Sequence, residues 1–286
     1  MMTIFIVPNL LKEHAADCTC QVANILRDCG CTALLPQELE PEFPGVSAIF
    51  GPSAELMHQC DMVLAIGGDG SIIHAAMLTL PASKPVLGIN VGRFGFLAQL
   101  ESSELHRLPE ILSGSYQVEQ RMLLKAEVTG PNRPAEQYYA LNDVVISRPT
   151  LAKIVDIDIS CNGKTVISYR ADGVIFSTPT GSTAYALSAG GAIIDPVLDS
   201  ISMTPICPHS LFDRSILFAP DKRITAQSRQ VNNEAEIHVA VDGENVAVLK
   251  TEDRLVITGG DVYVPFVSLP DKDFYEILNQ KLMFRG

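Results

Sequence analysis

One carboxylate in the chain lies where enzymes of the α/β class commonly bind their ligands. Asp69 occurs in the stretch DMVLAIGGDGS, directly after the unbroken apolar run Met62–Ile66. Such a run is typical of a parallel strand covered by helices on both faces, and open α/β sheets bind ligands at the carboxyl ends of their strands. The glycines around Asp69 allow a sharp turn and close approach to a ligand. The alternative is an ordinary strand–turn–helix junction in which Ser71 caps the next helix.

Two further stretches place glycines or polar side chains beside strands. Asn90–Leu97 has two glycines three residues apart, just past the apolar segment VLGIN. This favours close approach of the backbone to a ligand, although the spacing is not the GxGxxG dinucleotide fingerprint and a plain turn is the alternative. Asn142 and Asp143 precede the apolar run Val144–Ile146. An amide beside a carboxylate suits both edges of a base or a ribose diol, and a solvated strand end is the alternative.

The densest polar stretch is Arg170–Gly191, with the sequence RADGVIFSTPTGSTAYALSAGG. Asp172 comes before a short apolar strand, and a loop rich in Thr, Ser, Gly and Pro comes after it. A helix then begins near Ala184, and Tyr185 offers a flat face for a ring. Hydroxyls and free N–H groups at a helix N-terminus favour a phosphate or another polar ligand. A Thr- and Ser-rich helix cap is the alternative.

Composition limits the classes of partner. The chain has 286 residues, of which 47% are apolar and 19% are charged, and its formal net charge is -12. A non-specific binder of nucleic acid or of an anionic membrane needs a basic face, so we expect neither nucleic acid nor membrane as a partner. No apolar run approaches the length of a membrane span.

The cysteines indicate a reducing compartment. Their number, seven, is odd, and nothing resembles a signal peptide, so we expect free thiols and a cytoplasmic protein. Two Cys-x-Cys pairs, Cys18/Cys20 and Cys29/Cys31, have spacings that differ from those of zinc sites. We therefore predict no protein-held metal site.

The pattern of elements predicts two domains. Strands near residues 3–7, 31–35, 62–66 and 85–90 alternate with helical segments, which indicates a parallel, Rossmann-like sheet; only 39–53 looks like a loop before a poorly defined helix. From about Tyr116 the chain reads as alternating strands with hairpin turns at Asn162-Gly163 and Asp242-Gly243. A last helix begins at Asp271. The predicted domains are 1–115, with 268–286, and 116–267.

Taken together, these motifs resemble those of NAD kinases, which phosphorylate the 2′-hydroxyl of the adenosine ribose of NAD. The resemblance rests on four segments in order: GGDG at Gly67–Gly70, NxGxxGFL at Asn90–Leu97, the pair Asn142-Asp143, and DGxxxSTPTGSTAYxLSAGG at Asp172–Gly191. It covers nearly the whole chain and is weakest in the first sixty residues. GGDG also occurs in phosphofructokinases and in diacylglycerol and sphingosine kinases, whereas TPTGSTAY is far more specific to NAD kinases.

The resemblance implies a fold and a set of roles. It implies an N-terminal α/β domain, an all-β, β-sandwich-like C-terminal domain that binds NAD, and a last helix that returns to the first domain. Asp69 would be the proton acceptor, with Gly70 beside it and His74 facing the phosphates. The implied nucleotide contacts in the second domain are Asn142, Asp143, Lys153, Arg170, Asp172, Thr183, Ala184, Tyr185, Ala186, Leu187 and Ser188.

The resemblance also implies ligands, and two rival hypotheses of function stay open beside it. A divalent cation, Mg²⁺ or another, would accompany the phosphoryl donor, which is ATP or polyphosphate, and the protein would be a homodimer or homotetramer. Three positions depart from the family pattern, and they bear on fine affinity and donor choice: Asp143, Ala171 and Glu244 stand where Glu, Gly and Gln are frequent. The rival hypotheses are another GGDG kinase, acting on a lipid or a sugar phosphate, and a non-enzymatic NAD(P) sensor.

Overall fold

The chain forms two compact units in a computed structural model. The structure describes residues 2–92, 95–148, 154–210, 212–229 and 237–283. One unit comprises Met1–Gln120 with Val264–Gly286, and the other comprises Arg121–Tyr263. This division does not say what each unit binds, so the assignment of 116–267 to NAD binding stays a prediction.

The elements follow in chain order. The helices are α1 (Ala15–Asp28), α2 (Ser53–Gln59), α3 (Asp69–Leu78), α4 (Leu108–Leu112), α5 (Tyr185–Ser188) and α6 (Phe274–Met283). The first strands are β1 (Thr3–Pro8), β2 (Thr32–Pro36), β3 (Ile49–Gly51), β4 (Met62–Gly67), β5 (Val86–Asn90) and β6 (Leu100–Glu101). The remaining strands are β7 (Gln117–Gly130), β8 (Arg133–Ala140), β9 (Asp143–Ser147), β10 (Val155–Cys161), β11 (Lys164–Ala171), β12 (Gly173–Ser177), β13 (Ile201–Ile206), β14 (Ile216–Phe218), β15 (Ile224–Ser228), β16 (Ile237–Val241), β17 (Glu244–Leu249) and β18 (Arg254–Ser268).

The first unit contains a parallel sheet in the order β3-β2-β1-β4-β5. This is the Rossmann strand order, as the alternation of strands and helices predicts. All six residues of β4 are buried, which explains why its sequence is continuously apolar rather than alternating. The packing against β5 is close: a Cβ added at Gly88 would lie 2.5 Å from Cδ1 of Ile72 on α3. The sheet therefore holds the end of β4 and the start of α3 in a fixed place.

The segment 39–53 differs from the prediction. It contains the end of a 3₁₀ turn, Gln37–Glu42, and the short strand β3. The residues of β3 pair with β2, from Ile49 opposite Leu34 to Gly51 opposite Pro36. A three-residue edge strand is formed by pairing with its neighbour, and its own sequence carries too short a pattern to reveal it.

The second unit is built from antiparallel strands. One group pairs in the order β11-β10-β15-β18, and a separate six-stranded sheet has the order β14-β13-β12-β9-β16-β17. Their buried faces share one core, in which Ile157 and Ala226 of the first group belong to the same cluster as Phe176 and Val239 of the second. This is the arrangement of a β-sandwich, as predicted.

Both predicted hairpin turns are confirmed. Asn162-Gly163 has φ angles of 50° and 78°, and Asp242-Gly243 has φ angles of 47° and 88°. Positive φ at both central residues is the requirement of the type I′ turn. These turns set the register of β10 with β11 and of β16 with β17.

The last helix begins three residues later than predicted, at Phe274. Asp273 precedes it, and its Oδ1 accepts a hydrogen bond from the Glu276 N–H at 2.8 Å, which is the geometry of an N-cap. Asp271 instead accepts a hydrogen bond from Nη2 of Arg107 at 2.7 Å. The helix belongs to the first unit, as predicted. Across the described residues, no helix is long and apolar enough to cross a membrane.

Candidate active site

Asp69 is held by the backbone of the NxGxxGFL segment. Its two carboxylate oxygens accept hydrogen bonds from the N–H of Phe96 at 2.9 and 3.1 Å, and Oδ1 also accepts one from the N–H of Leu97 at 3.1 Å. Because β4 and β5 are parallel neighbours, the loops that follow them meet at the same edge of the sheet. The backbone predicted to approach a ligand therefore binds the side chain of Asp69.

The glycine at position 95 is required by this contact. A Cβ at Gly95 would overlap Oδ1 of Asp69. Any other residue there would displace the carboxylate or the turn. The Gly95 position thus fixes where Asp69 points, which the motif alone does not reveal.

The predicted capping role of Ser71 is wrong. Helix α3 begins at Asp69, two residues earlier, with Gly68 at the N-cap. The Ser71 hydroxyl accepts a hydrogen bond from Nδ2 of Asn9 at 2.8 Å, and it lies so close to Gly67 that a Cβ there would overlap it. Ser71 therefore joins the end of β1 to the start of α3, and Asp69 occupies the first turn of the helix.

The other predicted residues of the first unit are accessible. Gly70 and His74 are both exposed on α3. A Cβ at Gly70 would meet nothing within 4 Å, so a ligand has room there. His74 lies four residues after Gly70, about one helical turn further on.

A buried polar group lies at the end of β5. Nδ2 of Asn90 donates hydrogen bonds to Oε2 of Glu101 at 2.8 Å and to the Gly92 carbonyl at 3.3 Å, while Oδ1 is buried without a partner among the described atoms. Burial raises the pKa of Glu101. Sequence reasoning did not single out Glu101, because the segment LESSEL that contains it matches no motif.

The C-terminal helix contacts the turn that holds Asp69. Nζ of Lys281 lies 4.3 Å from the centre of the Phe96 ring, a cation–π distance. The Leu269 N–H also donates to Oε1 of Gln99 at 3.0 Å. Both contacts lie within the first unit and connect the end of the chain to the segment beside Asp69.

In the second unit, Asn142 and Asp143 are packed under the TPTG loop. The Thr178 N–H donates to the Asn142 carbonyl at 2.9 Å, and the Thr178 hydroxyl donates to the Leu141 carbonyl. A Cβ at Gly181 would overlap the Asn142 carbonyl oxygen. The two motifs, about 36 residues apart in sequence, thus form one packed cluster.

The Ser182 and Thr183 hydroxyls donate hydrogen bonds to carbonyl groups of the same loop. The Thr183 hydroxyl donates to the Thr180 carbonyl at 3.2 Å, and the Ser182 hydroxyl donates to the Pro179 carbonyl at 2.6 Å while it accepts from the Ile194 N–H at 3.0 Å. The Thr183 and Ser182 hydroxyls therefore donate their protons within the loop, and the prediction that the loop binds a polar ligand stays a prediction. Their bonds fix the loop, and the helix that follows, α5, has only four residues.

The residues in and just before helix α5 differ in their exposure to solvent. Ala186 is buried against Val145 and Ile175 of the sheet, whereas Tyr185 is 47% exposed. Ser188 is also exposed, and the remaining members of the predicted turn, Thr183, Ala184 and Leu187, are half-buried. The exposed ring of Tyr185 is free to stack on a planar group.

Asp172 has a charged partner that sequence reasoning missed. Nη2 of Arg148 donates to Oδ2 of Asp172 at 2.9 Å, and the Arg148 N–H donates to the Asp172 carbonyl at 3.0 Å. Arg170, two residues earlier, is exposed on β11. Lys153 lies outside the described residues.

Asp242 is a second residue that sequence reasoning missed as part of the site. Its carboxylate accepts hydrogen bonds from the N–H groups of Leu141, Asn142 and Asp143 at 2.9, 2.7 and 3.1 Å. In the sequence, Asp242-Gly243 signals only a hairpin turn. Burial together with the charge of Asp242 raises the pKa of Asp143 to about 7.

Comparison with known proteins decides the family. Two family models match the chain: the ATP-NAD kinase N-terminal domain over residues 4–116 and the ATP-NAD kinase C-terminal domain over residues 141–269. An NAD kinase of Caldanaerobacter subterraneus is 35% identical over 286 residues, the full length of both chains. The chain belongs to the NAD kinase family. An NAD kinase of Magnetococcus marinus is 40% identical over 240 residues, or 84% of this chain and 78% of that one.

Two solved structures of the family share the fold. Yeast NADH kinase complexed with NADH superposes with a TM-score of 0.90 at 24% identity, covering 100% of this chain and 89% of that one. An NAD kinase from Archaeoglobus fulgidus in complex with ATP gives a TM-score of 0.69 at 23% identity, covering 99% and 98%. Membership of the NAD kinase family favours phosphoryl transfer to NAD over the rivals, a lipid or sugar-phosphate kinase and a non-enzymatic sensor.

We predict that Gly95→Ala lowers turnover much more than it lowers stability. The added methyl overlaps the Asp69 carboxylate, so the carboxylate must move from the amides that orient it, and misplacement by about 1 Å is enough to cost on the order of 10²-fold in rate. Steady-state kinetics and thermal unfolding of the purified variant measure the two effects.

The matched control for Gly95→Ala is Gly51→Ala. There the new methyl meets only the Leu56 side chain, at 3.3 Å. Gly51 lies on β3, which is separated by β2 and β1 from β4, the strand that precedes Asp69. Equal turnover in Gly95→Ala and the unmodified protein would show that the position of the Asp69 carboxylate does not matter for the reaction.

Proposed function

We propose that the protein transfers a phosphoryl group from ATP or polyphosphate to the 2′-hydroxyl of the adenosine ribose of NAD, which gives NADP. The observation that carries the proposal is the Asp69 carboxylate, oriented by the Phe96 and Leu97 amides at the carboxyl end of β4 in a chain of the NAD kinase family. A ribose hydroxyl is a weak nucleophile, so it needs positioning and a base.

The step assigned to Asp69 is proton removal. The ribose oxygen attacks the terminal phosphorus of the donor, a new P–O bond forms, and the bond from that phosphorus to the donor's bridging oxygen breaks. The proton of the hydroxyl passes to the carboxylate of Asp69. Phosphoryl transfer depends mainly on positioning and neutralisation of charge, so a carboxylate fixed by three hydrogen bonds suits the role.

The residues proposed to hold the nucleotide lie chiefly in the second unit. Asn142, Asp143 and Asp172 supply polar groups, and Tyr185 supplies an exposed ring for stacking. Gly70 and His74 contribute from the first unit. The remaining proposed contacts are Lys153, Arg170, Thr183, Ala184, Ala186, Leu187 and Ser188.

A divalent cation would come with the phosphoryl donor. Among the described residues, no group of three or more His, Cys, Asp or Glu side chains converges to form a metal cage. Mg²⁺ is usually bound through substrate phosphates, waters and one or two carboxylates, so the donor's own oxygens would supply most of its ligands and its charge would offset theirs. No protein residue is assigned to it.

We predict that the purified protein forms NADP from NAD when a magnesium-bound phosphoryl donor is present. Parallel assays with ATP, with polyphosphate and without a donor identify the donor, and diacylglycerol and a sugar phosphate serve as rival acceptors. A protein that binds NAD but forms no NADP with any donor would instead be a sensor.

We predict different kinetic effects for Asp69→Asn and Asp172→Asn. Loss of a general base typically lowers kcat about 10²–10⁴-fold, whereas NAD affinity in Asp69→Asn stays nearly intact because the interaction matters mainly in the transition state. Asp172→Asn weakens NAD binding by about 1–3 kcal/mol if a charged hydrogen bond is lost, and Arg148 also loses its ionic partner.

Three measurements on each of these variants separate the roles: NAD affinity, turnover and melting temperature. A purely structural Asp69 would lower the melting temperature together with activity. Full turnover in Asp69→Asn would refute the general-base mechanism even where NADP is the product.

We also propose that the protein is a homodimer or homotetramer. The support is membership of a family for which closed symmetry is expected. We predict that light scattering at micromolar concentration gives a mass of two or four chains. A mass of one chain, 30.9 kDa, would contradict this proposal and leave the reaction untouched.

A further inference from the structure

A row of polar side chains crosses three strands of the second unit's six-stranded sheet, β9, β12 and β13, and ends at Asp242, just past β16. Ser177 at the end of β12 is directly opposite Asp143 at the start of β9 and, on its other side, opposite Ser202 of β13. Asp242, just past β16, donates its N–H to the Asp143 carbonyl at 3.0 Å. Residues directly opposite one another in antiparallel strands project from the same face and lie about 4.5–5.5 Å apart at Cβ. The row therefore places the Asp143 side chain beside the Ser177 hydroxyl, with Ser202 one strand further on.

Asp242 is surrounded by hydrogen-bond donors that stabilise its ionised form. Both of its oxygens are engaged by the three consecutive N–H groups of Leu141, Asn142 and Asp143. N–H groups donate and do not accept, so they stabilise a carboxylate rather than a carboxylic acid. The same three bonds fix the backbone from which the Asn142 and Asp143 side chains project.

Asp143, unlike Asp242, is buried without hydrogen-bond donors among the described N–H groups. It is 5% exposed, and within the described residues its carboxyl accepts no hydrogen bond from an N–H group. The hydroxyls of its row neighbours Ser177 and Ser202 are buried and lack partners among the described atoms. A second buried negative charge beside Asp242 would be costly, and the group then keeps its proton instead.

The other charged groups near Asp143 and Asp242 do not offset the causes that keep the proton on Asp143. Burial raises the pKa of Asp242, the N–H groups of Leu141, Asn142 and Asp143 lower it, and the negative charge of Glu244 on β17 raises it again. Arg148, at the far end of β9, is paired with Asp172, and His238 on β16 is opposite Ser147 rather than Asp143. β12, β13 and α5 carry no charged residue. Burial and the charge of Asp242 are the two causes that raise the pKa of Asp143 to about 7.

We propose that Asp242 is a positioning residue for the nucleotide site, which fixes the Leu141–Asp143 backbone and keeps Asp143 as a neutral acid that binds its ligand as a hydrogen-bond donor. The identity of that ligand as NAD rests on the proposed function. A neutral carboxyl donates its O–H to an acceptor such as a ribose oxygen, a ring nitrogen or a carboxamide oxygen. A carboxylate in the same place would accept only and would repel a pyrophosphate.

The first experiment asks, in the absence of nucleotide, whether the Asp143 carboxyl is protonated. In ¹³C NMR of aspartate carboxyls, we expect one carboxyl that titrates near pH 7, is absent in Asp143→Asn, and titrates at lower pH in Asp242→Asn. The matched control is Glu244→Gln, which removes one nearby charge but no hydrogen bond to the Leu141–Asp143 backbone, and shifts the titration far less. An Asp143 carboxyl that titrates near 3.8, the ordinary pKa of an aspartate, would overturn the proposal.

Unfolding gives an independent test of the same proton. Between pH 3.8 and about 7 the folded state retains a proton that the unfolded state has released, so the folding stability falls as pH rises through this interval and levels off above it. Asp143→Asn has no such proton and lacks this component of the pH dependence. Identical pH profiles for the two proteins would count against the protonated acid. This readout remains available where Asp242→Asn folds poorly.

Nucleotide binding completes the experiment. We expect the Kd for NAD, measured by calorimetry, to be constant below about pH 7 and to rise about tenfold per pH unit above it, because one proton must be retained on binding. Asp143→Asn should bind with a Kd that does not change over this range. A Kd independent of pH in the unmodified protein, with Asp143 titrating near pH 7, would overturn the donor role. Failure to bind NAD at every pH, with the NMR titration intact, would refute the proposed function and leave the protonated Asp143 supported.

Discussion

The contact between the Asp69 carboxylate and the Phe96 and Leu97 amides is the interaction on which the first unit's site depends. A parallel sheet places the loops after neighbouring strands at one edge, and here the loop after β5 binds the side chain that follows β4. The carboxylate is thereby oriented before any ligand arrives. Pre-organisation of this kind lowers the cost of reaching a reactive geometry, because the chain has already been ordered during folding.

The second unit uses the same chemistry for a different purpose. There the carboxylate of Asp242 gathers three N–H groups of the Leu141–Asp143 backbone, so a side chain fixes a backbone instead of a backbone fixing a side chain. Asp69 in the first unit and Asp242 in the second are thus both held by consecutive main-chain N–H groups. The donors lie within or beside the quoted motifs, but a main-chain N–H does not depend on the identity of its side chain, so the sequence does not reveal which carboxylate it binds.

Much of the fold was predictable because its signals are local. The continuous apolar run of β4 and the Asn-Gly and Asp-Gly turns each carry their own pattern. Contacts that arise from tertiary structure were not predictable. The strand β3 depends on pairing with β2, Ser71 bonds to Asn9 instead of capping α3, and the ion pair of Arg148 with Asp172 joins two residues that lie just outside strands.

The lack of room for a Cβ at Gly95 and Gly181 restricts which codon changes these positions can accept. At both positions a Cβ would overlap an oxygen that belongs to the site, that of Asp69 in one case and that of Asn142 in the other. Every amino acid one base change away from a glycine codon carries a Cβ. No single-base missense change in either codon therefore avoids the overlap with these oxygens.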